Sequence, residues 1–201
     1  MSLIGLCGFA GAGKDTVAKY LYERRGYIKI AFADPLKDVV SAIFGWDREK
    51  VEGITAEDRE WREKPDQWWS TALGQTITPR KMLQTWGTDI GRKQFHPKLW
   101  ILSVRRKIEE LLLLGYNVVV TDCRFVDECN LIKELGGKLV RIHRKYPEWY
   151  SIAFHTPEMM SKMYPQIHVS EYECLRINVD HIICNEGSIQ ELYDLVEGIL
   201  E

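Results

Sequence analysis

A glycine-rich stretch near the amino terminus, GFAGAGKDT, has residue types and spacing suited to binding phosphate groups. Gly8, Gly13 and Lys14 match the fixed positions of a phosphate-binding loop. Glycines let successive backbone N–H groups converge on phosphate oxygens, the N-terminus of the next helix adds positive potential, and the lysine reaches the outer phosphates. The stretch therefore predicts a triphosphate site, and the alternative is a glycine-rich turn that binds nothing. The expected contacts are Gly8, Gly11, Ala12, Gly13, Lys14, Asp15 and Thr16.

Two acids are candidates for holding a metal ion beside the phosphates. Asp15 stands where such loops usually carry a small hydroxyl residue, and a carboxylate is an equally hard ligand for Mg²⁺, bound directly or through water. The alternative for Asp15 is a structural role, because the helix dipole favours an acid in the first turn. Asp122 follows the apolar residues 118–120, like the second carboxylate of many triphosphate enzymes. The sequence thus predicts Mg²⁺ held by Asp15 and Asp122, with the Thr16 hydroxyl available to the α-phosphate.

The elements around the loop predict an α/β fold. Short apolar runs alternate with helical patterns, and the loop follows the first run directly. This alternation predicts an open, five-stranded parallel sheet with helices on both faces. The predicted strands are residues 3–7, 27–32, 117–121, 138–143 and 181–184.

We expect a single domain over residues 1–201 that carries two additions. Residues 46–78 lack a regular pattern and contain Trp61, Trp68 and Trp69, so we interpret them as an insertion. Residues 144–168 are irregular and follow basic residues. We interpret them as a lid that would keep water away from the outer phosphate of the bound triphosphate. Arg144 would then reach the transferring phosphate, and the alternative is a plain surface loop.

Composition argues against several classes of protein. The formal net charge of −2, without a basic stripe, argues against nucleic-acid binding. The five cysteines form no CxxC pair, which indicates a reduced, cytoplasmic chain. No run approaches the roughly 20 apolar residues of a membrane span, and the five histidines show no metal-ligand spacing.

Transfer of a phosphoryl group would require further cations, because the charges of two approaching anions must be offset. Lys37 and Arg124 both follow strand ends, where ligands collect in an open parallel sheet. For each cation the alternative is a solvated or ion-paired side chain. The candidates for the acceptor phosphate are Lys37, Arg80, Arg92 and Arg124. Of the cations, we expect Lys14, Arg124 and Arg144 to act on the transferring group.

Other residues are candidates for the base or sugar. Trp86, beside Gly87, could stack on a base or pack in the core. Glu128 could face the substrate or cap a helix, and Asn185 could border the adenine or belong to a simple turn.

Five segments in order give the chain a family resemblance. They are GKDT in the loop, FADPLK at 32–37, QTWGTDIGR at 84–92, TDCRFVDE at 121–128 and HVSE at 168–171. Together they resemble the deoxynucleoside monophosphate kinases of tailed bacteriophages. The resemblance implies a nucleoside monophosphate kinase fold that uses Mg²⁺ to transfer the γ-phosphate of ATP to a deoxynucleoside 5′-monophosphate. The chain departs from many phage members at positions 10–12, which are Ala, Gly and Ala where a basic residue is common.

Rival functions share the loop and the sheet. A kinase of dephosphocoenzyme A or of another metabolite differs in its acceptor, whereas an ATPase of this class would hydrolyse ATP without a small acceptor. A structural nucleotide-binding protein would transfer nothing. The sequence leaves open the accepted base, the preference for deoxyribose and whether the chain forms a homodimer.

Overall fold

The computed structural model describes residues 1–167 and 169–200 of the chain, which fall into two compact units. The first unit comprises Met1–Phe32 and Arg105–Glu201, and the second comprises Ala33–Val104. The predicted insertion, residues 46–78, lies inside the second unit, which begins earlier and ends later in the chain.

A five-stranded parallel sheet forms the centre of the first unit. The strand order is β2-β3-β1-β4-β5, and every neighbouring pair is parallel. The predicted parallel sheet is therefore confirmed. The strands are β1 (Leu3–Cys7), β2 (Tyr27–Ile30), β3 (Asn117–Val120), β4 (Lys138–His143) and β5 (His181–Cys184).

Helices occupy most of the remaining chain. In chain order they are α1 (Lys14–Arg25), α2 (Asp34–Phe44), α3 (Arg48–Glu52), α4 (Ala56–Glu63), α5 (Gln67–Leu73), α6 (Pro79–Gln84), α7 (Leu99–Leu113), α8 (Val126–Glu134), α9 (Tyr150–His155), α10 (Met160–Met163) and α11 (Ile189–Glu197). A π-helix, Thr85–Phe95, continues α6, and 3₁₀ turns cover Pro157–Met159, Val169–Glu171 and Glu173–Arg176. None of the helices in the described residues is long and apolar enough to span a membrane.

Both faces of the sheet are covered by helices, as predicted. Ile4 and Leu6 of β1 belong to a buried cluster that includes residues of α1 and α11. Gly5, between them, faces the other side, where a Cβ atom would lie 2.9 Å from a carbon of Ile132 in α8. A side chain at position 5 would therefore push α8 away from the sheet.

The second unit has its own apolar core. Its buried members are Val40, Phe44, Trp46, Val51, Ile77 and Met82. Residues 46–78 contain three short helices, where the sequence showed no helical pattern. Side-chain caps begin each of them: Asp47 for α3, Thr55 for α4 and Asp66 for α5. These caps accept hydrogen bonds from the first backbone N–H groups, which have no partner inside a helix.

The π-helix directly continues α6. It contains two buried glycines that allow close packing: a Cβ atom on Gly87 would lie 2.7 Å from Leu36, and one on Gly91 would lie 2.7 Å from Trp100. The Trp100 indole N–H also donates to the Gly87 carbonyl at 2.9 Å. Close packing against these two glycines accompanies the wider helical turn.

Residues 144–168, the predicted lid, contain α9, a 3₁₀ turn and α10. Ala153 of α9 and Met160 of α10 are fully buried in a cluster that also contains Phe9 of the glycine-rich loop. His168, the end of the predicted lid and the start of the HVSE segment, lies outside the described residues.

Candidate active site

The glycine-rich loop joins β1 to α1, and Gly8, Gly11 and Gly13 in it all have positive φ. Gly8 has φ 134°, and a Cβ atom there would collide with the backbone carbonyl oxygen of Ile142. Gly13 has φ 108°, and a Cβ atom there would collide with the Asn185 side chain. A larger residue at either position would therefore be strained and would clash. The sequence selects the loop conformation through these two residues.

Lys14 is folded back onto this loop. Its ammonium group donates to the carbonyl oxygens of Gly8 and Phe9, both at 2.8 Å. Burial and the nearby Arg124 guanidinium hold the pKa of Lys14 below its usual range, while the Asp15 carboxylate acts in the opposite direction. An anion arriving beside Lys14 would offset both causes, so this site favours a phosphate group.

Asn185 supports the loop from the end of β5. Its side-chain amide donates to the Ala12 carbonyl at 2.8 Å, and its backbone N–H donates to the His143 carbonyl at 2.7 Å. The structure thus places Asn185 against the loop, and its role beside the adenine stays a prediction.

The two candidate metal ligands lie at the same edge of the sheet. Asp15 is exposed in the first turn of α1, directly after Lys14. Asp122 follows β3, the neighbour of β1, and one of its oxygens accepts the Phe32 N–H at 2.7 Å. Carboxylates are hard ligands that suit Mg²⁺, so both acids stay predicted ligands. Within the described residues, no group of three or more His, Cys, Asp or Glu side chains is arranged to hold a metal ion.

Arg124 and Glu171 form an ion pair in the same region. The Arg124 guanidinium donates to the Glu171 carboxylate at 2.8 Å. Both charges act on the Lys14 pKa, Arg124 lowering it and Glu171 raising it. The structure therefore brings Lys14, Arg124 and Glu171 together. Sequence reasoning missed Glu171 as a site residue, although it lies in the HVSE segment.

Glu128 has contacts that favour its helix-capping alternative. It is 3% exposed, and its carboxylate accepts the backbone N–H groups of Arg124 at 2.9 Å and Phe125 at 3.1 Å. These contacts fix the start of α8 and the backbone that carries Arg124. Arg144, which directly follows β4, is exposed.

Phe9 is a second residue that sequence reasoning missed. Its backbone carbonyl accepts from Lys14 and from the Ala12 N–H at 3.2 Å. Its ring meets Trp149 edge-on at 5.2 Å and Tyr150 at 6.0 Å between centroids. We call Phe9, Trp149, Tyr150 and Tyr172 the aromatic cluster. The sequence signal that could have identified Phe9 is an aromatic residue inside a glycine-rich loop.

The second unit contains the other candidates for binding an acceptor. Lys37 pairs with Glu52, and Arg80 pairs with Glu63 at 2.8 Å. Trp86 is half-buried and its ring lies 6.5 Å from that of Phe44, so it is at least partly a core residue. The remaining candidates, Gly87 and Arg92, lie in the π-helix.

Arg48 is a cation of this unit that sequence reasoning did not single out. It contacts three acids: Asp34 at 3.2 Å, Asp38 at 2.6 Å and Glu52 at 2.5 Å. Because Glu52 also pairs with Lys37, this carboxylate joins two cations, and they hold the pKa of Glu52 below its usual range despite partial burial.

Comparison with known proteins gives one consistent family. The family model for deoxynucleotide monophosphate kinases matches residues 64–196, which is more than half of the chain. A protein of Acanthamoeba polyphaga mimivirus assigned to the same kinases is 34% identical over 206 residues, covering 98% of this chain and 94% of that protein. The deoxynucleoside-5′-monophosphate kinase of Escherichia phage T5 is 26% identical over 182 residues, covering 66% of this chain and 72% of that protein.

Among solved structures, a shikimate kinase from Bacteroides thetaiotaomicron is 14% identical, with a TM-score of 0.38 over 98% of this chain and 96% of that one. The family is shown by the sequence comparisons. The chain belongs to the deoxynucleotide monophosphate kinase family.

Proposed function

We propose that this chain transfers the γ-phosphoryl group of ATP to a deoxynucleoside 5′-monophosphate and so forms the diphosphate. Family membership supports the reaction and the substrate class. The observation that carries the proposal is the loop between β1 and α1, where Gly8 and Gly13 adopt positive φ and Lys14 is held over the loop carbonyls. Such a loop presents backbone N–H groups and one ammonium group to a triphosphate.

Lys14 acts on the transferring group in this proposal. An ammonium group has three N–H groups, and two of those of Lys14 donate hydrogen bonds to the loop carbonyls. The third N–H group can donate a hydrogen bond to an outer phosphate oxygen while the loop keeps its conformation. Arg124 supplies a second positive charge. Because Arg124 already pairs with Glu171, the incoming phosphates would compete with this carboxylate for the guanidinium group.

Asp15 and Asp122 would hold Mg²⁺ directly or through water, with the Thr16 hydroxyl near the α-phosphate. The ion would offset charge on the phosphates as the γ-phosphoryl group moves between two anions. Asn185 would keep the loop in place through the Ala12 carbonyl and border the adenine.

In the second unit, the proposed contacts of the acceptor are cations and an aromatic residue. Lys37 and Arg80 are held in ion pairs within this unit, so an incoming phosphate would have to compete with Glu52 and Glu63 for these cations. Trp86 would contact the base or the sugar. The remaining proposed contacts in this unit are Gly87 and Arg92. In the first unit, Glu128 would act indirectly, because its carboxylate fixes the backbone that carries Arg124.

Residues 144–168 would act as the lid, with Arg144 reaching the transferring phosphate. Exclusion of water matters here because water competes with the acceptor for the γ-phosphoryl group. The described cysteines are all unpaired thiols, which supports a reducing, cytoplasmic location.

A coupled assay tests the function. ATP and Mg²⁺ are incubated with each common deoxynucleoside and ribonucleoside monophosphate, and with dephosphocoenzyme A, and diphosphate formation is measured. We expect ADP and a deoxynucleoside diphosphate in equal amounts, and we expect Lys14→Ala to lower kcat/KM about 100- to 1,000-fold. ATP hydrolysis without any acceptor, or transfer only to dephosphocoenzyme A, would contradict the proposal.

A further inference from the structure

A cysteine and a histidine outside the proposed machinery face each other at the carboxyl ends of two neighbouring strands. Cys184 ends β5 and His143 ends β4, and the two residues are directly opposite in the parallel register. The Cys184 sulfur lies 3.0 Å from the Nε2 atom of His143. This distance allows a hydrogen bond between the thiol and the imidazole ring.

The surroundings of His143 fix its ring. The residue is 7% exposed, and the Tyr146 ring stacks on it with centroids 4.7 Å apart and planes 24° apart. Its Nδ1 atom is buried and has no hydrogen-bond partner in the described part of the chain. In the tautomer that carries hydrogen on Nδ1, the Nε2 lone pair faces Cys184 and can take the thiol proton.

Access distinguishes Cys184 from the other cysteines. Cys184 is exposed, whereas Cys7, Cys123, Cys129 and Cys174 are buried. The Cys7 thiol donates to Cys174 and is the main cause that lowers the pKa of Cys174 to about 7, yet Cys174 is only 2% exposed. A thiol must reach its reaction partner as well as lose its proton, and of the five cysteines Cys184 is the exposed one.

The residue after Cys184 supports the phosphate loop. The Asn185 backbone N–H donates to the His143 carbonyl at 2.7 Å, and its side chain donates to the Ala12 carbonyl at 2.8 Å. A bulky group attached to the Cys184 sulfur would displace the sulfur from His143, one residue before Asn185 in the chain, and would so disturb this connection. Chemistry at Cys184 is thereby linked to the shape of the loop.

We propose that Cys184 and His143 form a thiol-modification site, at which a low-molecular-weight disulfide attaches to Cys184 and weakens ATP binding. The Cys184 thiol gives its proton to His143 Nε2, and the thiolate attacks one sulfur of the disulfide. A new S–S bond to Cys184 forms, the original S–S bond breaks, and the leaving thiolate takes the proton from the imidazolium. One thiol and one disulfide are consumed and one of each is produced. The effect on ATP rests on the proposed function.

The reaction is tested with the aromatic disulfide 5,5′-dithiobis(2-nitrobenzoic acid), whose released thiolate absorbs light. We expect one fast-reacting thiol per folded chain, mapped to Cys184 by peptide mass spectrometry and lost in Cys184→Ser. We expect His143→Asn to slow this reaction roughly tenfold or more, because the base is removed. Tyr146→Phe keeps the stacked ring and removes a hydroxyl that lies 3.4 Å from the Nε2 atom of His143, so this variant should react at the unaltered rate or faster.

Two results would overturn the reaction step: fast labelling of another cysteine, or an unchanged rate in a His143→Asn protein. Should thermal melting show that His143→Asn is unfolded, His143→Gln replaces it, and an unchanged labelling rate in that folded variant has the same meaning. No kinase activity is needed for these measurements, so they decide the reaction step even if the proposed function fails.

The effect of Cys184 modification on ATP binding is measured with a fluorescent ATP analogue. The analogue is titrated into protein treated with oxidised glutathione and into reduced protein. Loss of one supporting hydrogen bond predicts a dissociation constant about fivefold higher after thiolation. Treated Cys184→Ser protein should match the reduced protein. Equal affinity of the thiolated and reduced proteins would overturn the effect on ATP, whereas failure of the reduced protein to bind the analogue would contradict the proposed function itself.

Discussion

At the scale of single residues, Asp15 gives the phosphate loop a carboxylate where a hydroxyl is usual. A carboxylate beside a triphosphate is repelled unless a cation lies between them. Lys14 supplies one positive charge, but its pKa is already lowered by burial and by Arg124. The Asp15 side chain is exposed at the N-terminus of α1, so it can turn towards a metal ion at small cost.

Replacing Asp15 with Asn tests this role. The variant keeps the size of the side chain but loses its charge, so we expect the Mg²⁺ concentration for half-saturation to rise roughly 10- to 100-fold. Titration calorimetry of Mg²⁺ into the ATP complex gives this value without turnover. ATP affinity in the absence of Mg²⁺ should remain the same or improve slightly, since a repulsive charge is removed.

Glu23→Gln is the matched control for Asp15→Asn, because Glu23 is an exposed acid near the other end of the same helix. It should leave both affinities unaltered. If Asp15→Asn weakened ATP binding as much without Mg²⁺ as with it, Asp15 would be a structural acid.

At the scale of elements, the aromatic cluster joins the phosphate loop, through Phe9, to Trp149, Tyr150 and Tyr172. Phe9 is 8% exposed although it lies in a loop, and two rings of the predicted lid region meet it edge-on. Its carbonyl also holds Lys14. The packing of this ring therefore fixes the position of a group that orients the lysine.

Phe9→Leu should loosen this connection while keeping an apolar side chain. Two edge-to-face contacts are lost, so we expect the free energy of unfolding to fall by about 1 to 3 kcal/mol. ATP should also bind more weakly, because the Phe9 carbonyl is less well positioned. Chemical denaturation and nucleotide titration measure the two effects.

Phe154→Leu serves as the comparison for Phe9→Leu. Phe154 is 46% exposed and stacks on Tyr150 at 5.8 Å. This change should cost less stability and should not alter ATP affinity. Equal ATP affinity of the unaltered protein and a folded Phe9→Leu variant would show that the cluster does not position the loop.

The elements also show where sequence reasoning succeeds. The strands are predicted to within two residues, because their apolar runs are short, continuous and bounded by turn residues. The helices α3, α4 and α5 have only 5, 8 and 7 residues, too few for a helical period to emerge. The π-helix was not predicted, because no local pattern shows that Gly87 packs against Leu36, which lies far from it in the sequence.

The candidate site likewise has a part that the sequence predicts and a part that it does not. The phosphate loop is local, and a few consecutive residues with a preceding strand and a following helix are enough to predict it. Glu171 is 47 residues from Arg124 in the chain, so no local pattern pairs them. Phe9 likewise meets Trp149 and Tyr150, which lie far along the sequence.

At the scale of the whole molecule, the proposed contacts for the two substrates fall mostly in different units. The proposed ATP contacts, residues 8–16 and Asn185, belong to the first unit. Lys37, Arg80, Trp86 and Arg92 belong to the second unit, which has an apolar core of its own. Each substrate should therefore stabilise a different part of the chain when it binds alone.

Hydrogen exchange measured by mass spectrometry tests this division. A deoxynucleoside monophosphate at ten times its dissociation constant should slow exchange in the protected segments about tenfold, because binding stabilises the bound form by mass action. We expect this protection in α2, α6 and the π-helix, and we expect ATP alone to protect the loop and the start of α1.

Neighbouring cations of the second unit make this test specific. Arg80→Met should raise the dissociation constant of the monophosphate roughly tenfold or more, since a charged hydrogen bond to phosphate is lost. Lys81, whose ammonium donates to the Thr76 carbonyl at 2.9 Å, is the matched control, and Lys81→Met should keep full protection. Protection by the monophosphate that is confined to the first unit, and unaffected by Arg80→Met, would mean that the acceptor binds through Arg124 and its neighbours and that the cations of the second unit serve its own stability.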